Sequence, residues 1–488
     1  MTYSYHIFYF PFKWQTEGSE TKTFSEQICL DNIKYRASSS WEHAPKPESE
    51  EEEKNLYNEK NYYYKFVHNI LYDEAGNPLE LIRHFERKEP KLTKNIHYLI
   101  KVKGRKEPFI LTVDAININL YATGVGFMSF YLKNEEESQS NPEDILLINQ
   151  YGRRIFPPFY DDITYRNETS EYIDIQGLYS PHNYKEDFKS YKTSDCWKPA
   201  SFILNLIQEL ADNILIEPII DDRMFVACWY KNNELAKQFT DDPQACCDPE
   251  NDFSSFWYKY LFVDGTFETC QNNEMKKKLL EEHTYFRWQK YSSLYGVCRY
   301  ALVYLANDGA PDHLLACFQT IYARMVELVL VQRASMLRFS GEVTKVSNLS
   351  HEKVGVISNR ISSLYKEYIR FINQIYFREV TVQDQGIELY AMLQKCLNME
   401  EYIKDLDNEI GELHEYVSLK EDRSRNIKAE VLNNIATLFL PITVITGFWG
   451  MNPLEEVMTA PLFNYQVWML IAGTLCALII IYNRKKRL

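Results

Sequence analysis

The sequence has little glycine for its length, with 17 glycines in 488 residues, but it has 36 tyrosines. This balance excludes a disordered, low-complexity chain. Its ten cysteines include no Cys-x-x-Cys spacing, which excludes a zinc knuckle or a paired redox site. We therefore expect free thiols in a reducing compartment. The formal net charge of −14 argues against a general nucleic-acid-binding surface.

Motifs of common catalytic sites are also missing. The sequence contains no His-Glu-x-x-His, no Gly-x-Ser-x-Gly and no arrangement of cysteine and histidine typical of a nucleophile. We therefore expect a protein that is not an enzyme. The N terminus has no basic stretch followed by an apolar one, so no cleaved signal peptide is predicted and the bulk of the chain should be cytosolic.

Charged residues are absent from two C-terminal stretches, 431–454 and 457–483. The apolar core of the first, 431–449, is nineteen residues long, which is enough to cross a bilayer. The second core, 465–482, is eighteen residues long. Two transmembrane helices are therefore predicted.

The distribution of basic residues orients these two helices. Arg423, Arg425 and Lys428 precede the first helix, and a basic tail at 484–487 follows the second, whereas the loop between them has no Lys or Arg. The positive-inside rule therefore predicts that both termini lie in the cytosol.

The first predicted transmembrane helix is unusually polar. Its amides and hydroxyls are too numerous for a helix surrounded by lipid, where each unpaired group costs free energy. Eight residues, most of them small or polar, share one face at steps of three and four residues, namely Asn426, Ala429, Leu432, Ala436, Leu440, Thr443, Gly447 and Gly450. Two interpretations stay open at this point: a pore lined by several copies of the helix, or a face that mediates helix packing.

The cytosolic part changes character along its length. Residues 1–135 are predicted to be rich in strands, and 136–270 to mix helices with strands, among them a strand at 258–263. Long helical patterns cover about 274–306, 311–340 and 351–378. A coiled-coil-like seam follows, formed by Leu389, Met392, Cys396, Met399, Ile403, Leu406, Ile410, Leu413 and Val417.

The seam predicts one helix that continues into the first transmembrane segment. A helix of about seventy residues would be roughly 100 Å long and could not be stable alone. It either packs in a bundle within one subunit or forms a stalk between subunits.

Two groups of polar residues are candidates for a ligand site. Arg153 and Arg154 are adjacent in an otherwise apolar stretch, and their forked donors suit phosphate, while Tyr151 and Phe156 could stack on a base. Asp221 and Asp222 offer acceptors for a sugar or an amino group. An intersubunit salt-bridge cluster is the open alternative.

The segment PITVITGFWGMN at residues 441–452 resembles the signature of CorA-like magnesium transporters. The resemblance covers about residues 380–488. It implies a homopentameric funnel in the bacterial inner (cytoplasmic) membrane, with a cytosolic α/β domain, a long helical stalk and a pore lined by the first of two C-terminal transmembrane helices. It also implies Mg²⁺ as the transported or regulatory ion.

The resemblance assigns roles to particular residues. It implies that Gly450, Met451 and Asn452 form the outer selectivity turn, where a ring of Asn452 side chains meets a still-hydrated ion. Glu455 and Glu456 would attract cations to the mouth. The implied pore-lining residues are Asn426, Leu432, Leu440, Thr443 and Gly447, with Leu432 and Leu440 as the constriction.

The enlarged cytosolic part is similar to CorA-like proteins found beside type III CRISPR systems. The similarity rests on YHIFYFPFKW at 5–14 and YGRRIFPPF at 151–159. It implies an antiviral membrane effector switched by an adenylate-type messenger, the conjugate of S-adenosylmethionine and AMP (SAM-AMP). The alternative is a housekeeping channel for Mg²⁺, Co²⁺ or Ni²⁺ uptake that is gated by intracellular Mg²⁺.

Together these patterns predict an α+β membrane protein with seven segments. They are a cytosolic α/β domain (1–270), a cytosolic helical region (271–380), a stalk helix (381–430), a first transmembrane helix (431–452), an extracytoplasmic loop (453–464), a second transmembrane helix (465–483) and a cytosolic tail (484–488). The expected partners are further copies of the chain, the lipid bilayer and a small nucleotide, with no direct nucleic acid.

Overall fold

A computed structural model describes most of the chain as two compact units. It describes residues 2–18, 22–36, 40–74, 79–93, 95–155, 169–179, 182–188, 198–221, 223–347, 354–450, 468–469, 472–473 and 476. The first unit comprises Met1–Leu349 and Ser362–Ile410, and the second comprises Ser350–Ile361 and Gly411–Leu488.

Within the described residues, thirteen strands of the first unit form one sheet. The strands are β1 Ser4–Thr16, β2 Trp41–His43, β3 Ile82–Arg87, β4 His97–Lys101, β5 Phe109–Tyr121, β6 Val125–Asn134, β7 Tyr172–Gln176, β8 Lys185–Asp187, β9 Ile214–Pro218, β10 Phe225–Lys231, β11 Thr284–Tyr285, β12 Ser293–Val297 and β13 Ala301–Ala306. Their order is β11-β12-β13-β10-β1-β6-β5-β4-β7-β8, while β9 pairs with β1 and β3 joins β2 to β5.

Strand β1 lies at the centre of this sheet. It pairs antiparallel with β10 on one side and β6 on the other. Its aromatic and β-branched residues are buried on both faces, as expected of a strand in the middle of a core. The predicted strands at 3–12, 97–103, 109–119 and 126–132 are thereby confirmed as β1, β4, β5 and β6.

The described helices run from α1 to α14 in chain order. They are α1 Phe24–Gln27, α2 Glu50–Tyr62, α3 His68–Leu71, α4 Glu89–Leu92, α5 Pro142–Gly152, α6 Ser201–Leu210, α7 Asn233–Asp241, α8 Asp252–Phe262, α9 Asn273–His283, α10 Asp312–Cys317, α11 Ala323–Ser347, α12 Val354–Gln374, α13 Asp384–Cys396 and α14 Met399–Gly450. A π-helical turn, Phe318–Tyr322, joins α10 to α11.

Two local predictions were wrong. The helix expected over 274–306 ends at His283, and β11, β12 and β13 follow it. Strand β13 is buried throughout, so its continuous apolar run has no alternation to distinguish it from a buried helix. Conversely, 258–263 lies largely in helix α8, which begins where the Asn251 side chain accepts a hydrogen bond from the backbone N–H of Phe253.

The predicted domain boundary at residue 270 does not coincide with a structural boundary. Strand β13 pairs in parallel with β10, so residues on both sides of 270 belong to one sheet. The first unit therefore extends beyond the predicted α/β domain. Its boundary depends on strand pairing between segments that are distant in sequence.

The predicted continuous stalk helix is broken. Helix α13 ends at Cys396, α14 begins at Met399, and Asn398 between them has a left-handed backbone with a φ of 51°. Asparagine tolerates this conformation better than most residues. Leu389, Leu406 and Ile410 of the seam are buried within the first unit. Over 389–410 the seam therefore packs inside one subunit.

In the part of the chain that the structure describes, one helical segment meets the length and composition of a membrane span. It is Asp312–Val346, and 61% of its most apolar window is buried inside the protein. Helix α11 contributes most of this segment and packs on β1 and β6. We therefore describe it as the core helix of the first unit. The predicted second transmembrane helix, 465–483, lies almost entirely outside the described residues.

Candidate functional site

Helix α14 carries the five predicted pore-lining residues. All five side-chain positions are exposed, and the two apolar ones, Leu432 and Leu440, are 69% and 64% exposed. At 100° per residue, the five positions fall within an arc of about 120°. The structure therefore places Asn426, Leu432, Leu440, Thr443 and Gly447 on one uncovered face.

Two hydroxyls of this helix hydrogen-bond within the helix itself. Thr437 Oγ1 donates to the backbone oxygen of Asn433, and Thr443 Oγ1 donates to that of Phe439, both at 2.7 Å. Such back-bonding to the preceding turn lets a threonine enter an apolar environment without an unsatisfied donor. The exposed Val431, Ile435 and Phe439 add apolar surface that the described residues leave uncovered.

The structure describes only part of the predicted selectivity region. Helix α14 ends at Gly450. Met451, Asn452, Glu455 and Glu456 lie outside the described residues. Their roles remain predictions from the resemblance.

A second candidate site lies where helix α5 meets strand β10. Helix α5 begins at Pro142, with the Asn141 side chain accepting a hydrogen bond from the backbone N–H of Asp144 at 2.9 Å. It ends at Arg153, whose backbone oxygen accepts a hydrogen bond from Met224. Arg154 forms a β-bridge with Arg223. Three arginines are thereby held together, and we call Arg153, Arg154 and Arg223 the arginine cluster.

Arg153 is the most deeply buried member of the cluster, with 2% of its surface exposed. Its Nη2 donates to the backbone oxygen of Val263 at 3.3 Å, but its Nε and Nη1 are buried without a hydrogen-bond partner. Burial, together with the charges of Arg223 and Arg154, lowers the pKa of Arg153 to about 9. Among the described groups, these two nitrogens of Arg153 therefore stay without an acceptor.

Arg223 has a counter-charge, and an aromatic ring lies beside it. Its Nε and Nη2 donate to the two carboxylate oxygens of Asp221 at 3.0 and 2.9 Å. The ring of Tyr300 lies 4.9 Å from the Arg223 guanidinium and 5.7 Å from that of Arg153. The guanidinium groups and the Tyr300 ring together suit an anionic ligand with a planar group.

The structure brings some predicted ligand residues together and not others. Arg153, Arg154 and Asp221 meet at the cluster, whereas Tyr151 is buried in the core beside it. Phe156 and Asp222 lie outside the described residues. Sequence reasoning missed Tyr300, which approaches from the start of β13 and has no local signal near residue 153.

Comparison with known proteins concerns the C-terminal part of the chain. Residues 313–485 match the family described as CorA-like Mg²⁺ transporter protein. No curated protein matches the chain. The match begins in helix α10 and includes the exposed face of α14. The match supports similarity of this part of the chain to membrane proteins that transport Mg²⁺.

Replacing Arg153 by methionine tests whether its charge stabilises the folded protein. We expect the free energy of unfolding to rise by about 1 kcal/mol, because an apolar side chain of similar length removes a buried, incompletely paired charge. The measurement is thermal unfolding of the detergent-solubilised chain, where the melting temperature should increase.

The matched control is Arg223→Met, which leaves the Asp221 carboxylate without its bidentate partner. This variant should melt at a lower temperature than the parent. If Arg153→Met is destabilised as much as Arg223→Met, the charge of Arg153 stabilises the folded protein. The interpretation of the cluster as a site for an anionic ligand then loses its basis.

Proposed function

We propose that this chain forms a homopentameric divalent-cation channel of the bacterial inner membrane, selective for Mg²⁺ and switched by an anionic nucleotide-type ligand at the arginine cluster. The observation that carries the channel proposal is the family match over residues 313–485. The uncovered face of α14 supports it, because one helix cannot enclose a pore and several copies around an axis can.

The pore chemistry follows from the residues on that face. Thr443 and Asn426 present oxygens, which suit a hard cation, and Leu432 and Leu440 would form an apolar constriction. Mg²⁺ gives up its water reluctantly, so a ring of Asn452 amides is suited to a hydrated ion at the outer mouth. Two basic segments flanking the predicted transmembrane helices favour cytosolic termini.

The switch proposal rests on the electrostatics of the arginine cluster. An anion beside Arg153 would add a counter-charge and accept hydrogen bonds from Nε and Nη1. The Tyr300 ring offers a stacking surface for a base. A ligand shifts a gating equilibrium only by its differential affinity for the two states, so the cluster must differ between closed and open channels.

We further propose SAM-AMP as this ligand and type III CRISPR defence as the cellular role. This identification rests on the resemblance of segments 5–14 and 151–159 alone. A housekeeping channel gated by intracellular Mg²⁺ is the outcome to expect if no nucleotide binds.

The channel proposal predicts that Asn452→Ala changes Mg²⁺ flux while leaving the assembly intact. Removing the amide takes away the oxygen that would meet the hydrated ion. Flux into liposomes is measured with a Mg²⁺-sensitive dye, and native mass spectrometry reports the number of subunits.

Asn464→Ala, an asparagine outside the Gly-Met-Asn turn, is the matched control and should conduct like the parent. Unaltered flux in an assembled Asn452→Ala pentamer would show that the turn is structural only. Monomers or dimers of the parent in native mass spectrometry would contradict the pentamer.

The switch proposal predicts tight binding of SAM-AMP to the purified chain and no comparable binding of ATP or S-adenosylmethionine. Binding should be lost in Arg153→Ala/Arg154→Ala, because the anion loses its donors. Isothermal titration calorimetry measures each affinity.

Arg36→Ala is the matched control, since Arg36 forms a surface ion pair with Asp212 and is not part of the cluster. It should bind as the parent does. If none of the three compounds binds, or the double variant binds normally, the switch proposal fails and the housekeeping channel replaces it.

A further inference from the structure

A second cavity lies in the first unit, beside strands β12 and β13. Its volume is about 760 Å³, within the range of small-molecule sites. Six aromatic side chains line it: Tyr62, Trp288, Tyr291, Tyr295, Tyr304 and Tyr322. We call it the tyrosine cavity. The Tyr295 ring lies 4.3 Å from that of Tyr304 and 5.8 Å from that of Tyr322, so the rings form a continuous aromatic wall.

A π-helical turn shapes one side of the tyrosine cavity. The turn, Phe318–Tyr322, directs Ile321 and Tyr322 into the lining together with the preceding Cys317. Such turns are rare in proteins and occur frequently at functional sites, since they cost helix regularity. This irregular backbone is a second observation, independent of the cavity volume, that points to a ligand.

The described lining is mostly apolar and nearly uncharged. It contains Lys290 and His313, but no carboxylate and no arginine. Burial raises the pKa of Tyr295 well above its ordinary value, so that hydroxyl stays protonated at neutral pH. Tyr62 Oη is buried at the wall, beside the Tyr322 hydroxyl. Ser293 and Asn307 add further neutral hydrogen-bonding groups.

This chemistry discriminates between classes of ligand. An alkyl chain would match the apolar surface but would offer no hydrogen bond to Asn307 or Gln385, and a polar group that loses water without a new partner costs about 1–3 kcal/mol. A polyphosphate would contact only one lysine and one histidine in the described lining. A flat ring that carries its own donors and acceptors satisfies both the aromatic faces and the neutral polar groups. We propose that the tyrosine cavity binds a neutral, planar nitrogen heterocycle of the nucleobase or nucleoside class.

The tyrosine cavity is separate from the arginine cluster. Tyr300, at the cluster, precedes strand β13, and Asn307, at the cavity, follows it. Six extended residues span about 20 Å. The proposal therefore does not depend on the proposed switch, and the two sites can be tested independently.

The test is calorimetric titration of the full chain in detergent with adenosine as the probe. The parent should bind adenosine saturably. Leu314→Trp enlarges a half-buried side chain of the cavity lining and should weaken binding about tenfold or more, by displacing the stacked base. Ala310→Phe fills the same cavity from the loop before α10 and should have the same effect.

Leu315→Trp is the matched control, because Leu315 is the neighbouring half-buried leucine and is not part of the lining. It should bind adenosine like the parent, as should Arg153→Ala. Thermal unfolding verifies that each variant is folded. Absence of adenosine binding to the folded parent overturns the proposal. The proposal is also overturned if Leu314→Trp, Leu315→Trp and Ala310→Phe all bind adenosine equally well. Displacement of adenosine by octanoate would overturn it too.

Discussion

The cost of burying a charge without a full set of partners is the constraint that links fold and proposed function in this chain. Arg153 follows helix α5, its backbone oxygen accepts a hydrogen bond from Met224, and its side chain is buried. Desolvation and the neighbouring arginines both disfavour its charged form. An anionic ligand would relieve this penalty, which makes the cluster a place where binding energy can act on conformation.

A related constraint governs helix α14. Its described apolar side chains Val431, Leu432, Ile435, Phe439 and Leu440 are exposed, while Thr437 and Thr443 bond back to the preceding turn. Such a helix is poorly suited to water and well suited to a bilayer in which other copies cover its polar face. The family match includes this same segment, so the physical argument and the comparison support one conclusion independently.

The sequence was informative where a local pattern has one physical cause. The aromatic, β-branched run of β1 and the seam around Leu389 both lie where they were expected. The sequence pattern did not predict β13, because burial on both faces removes the periodicity of a strand. It also did not predict the break at Asn398, where one residue with a left-handed backbone separates two helices that the seam pattern joins. Tyr300 and the tyrosine cavity depend on sheet pairing between distant segments, which no local pattern records.

Ligand-dependent conduction tests the central claim most directly. Mg²⁺ flux into liposomes containing the parent chain should change when SAM-AMP is added on the side of the cytosolic unit. The same addition should leave flux unchanged in the folded Arg153→Met variant. Flux in the parent that ignores SAM-AMP, or an equal response from Arg153→Met, would contradict the claim that the arginine cluster controls the channel.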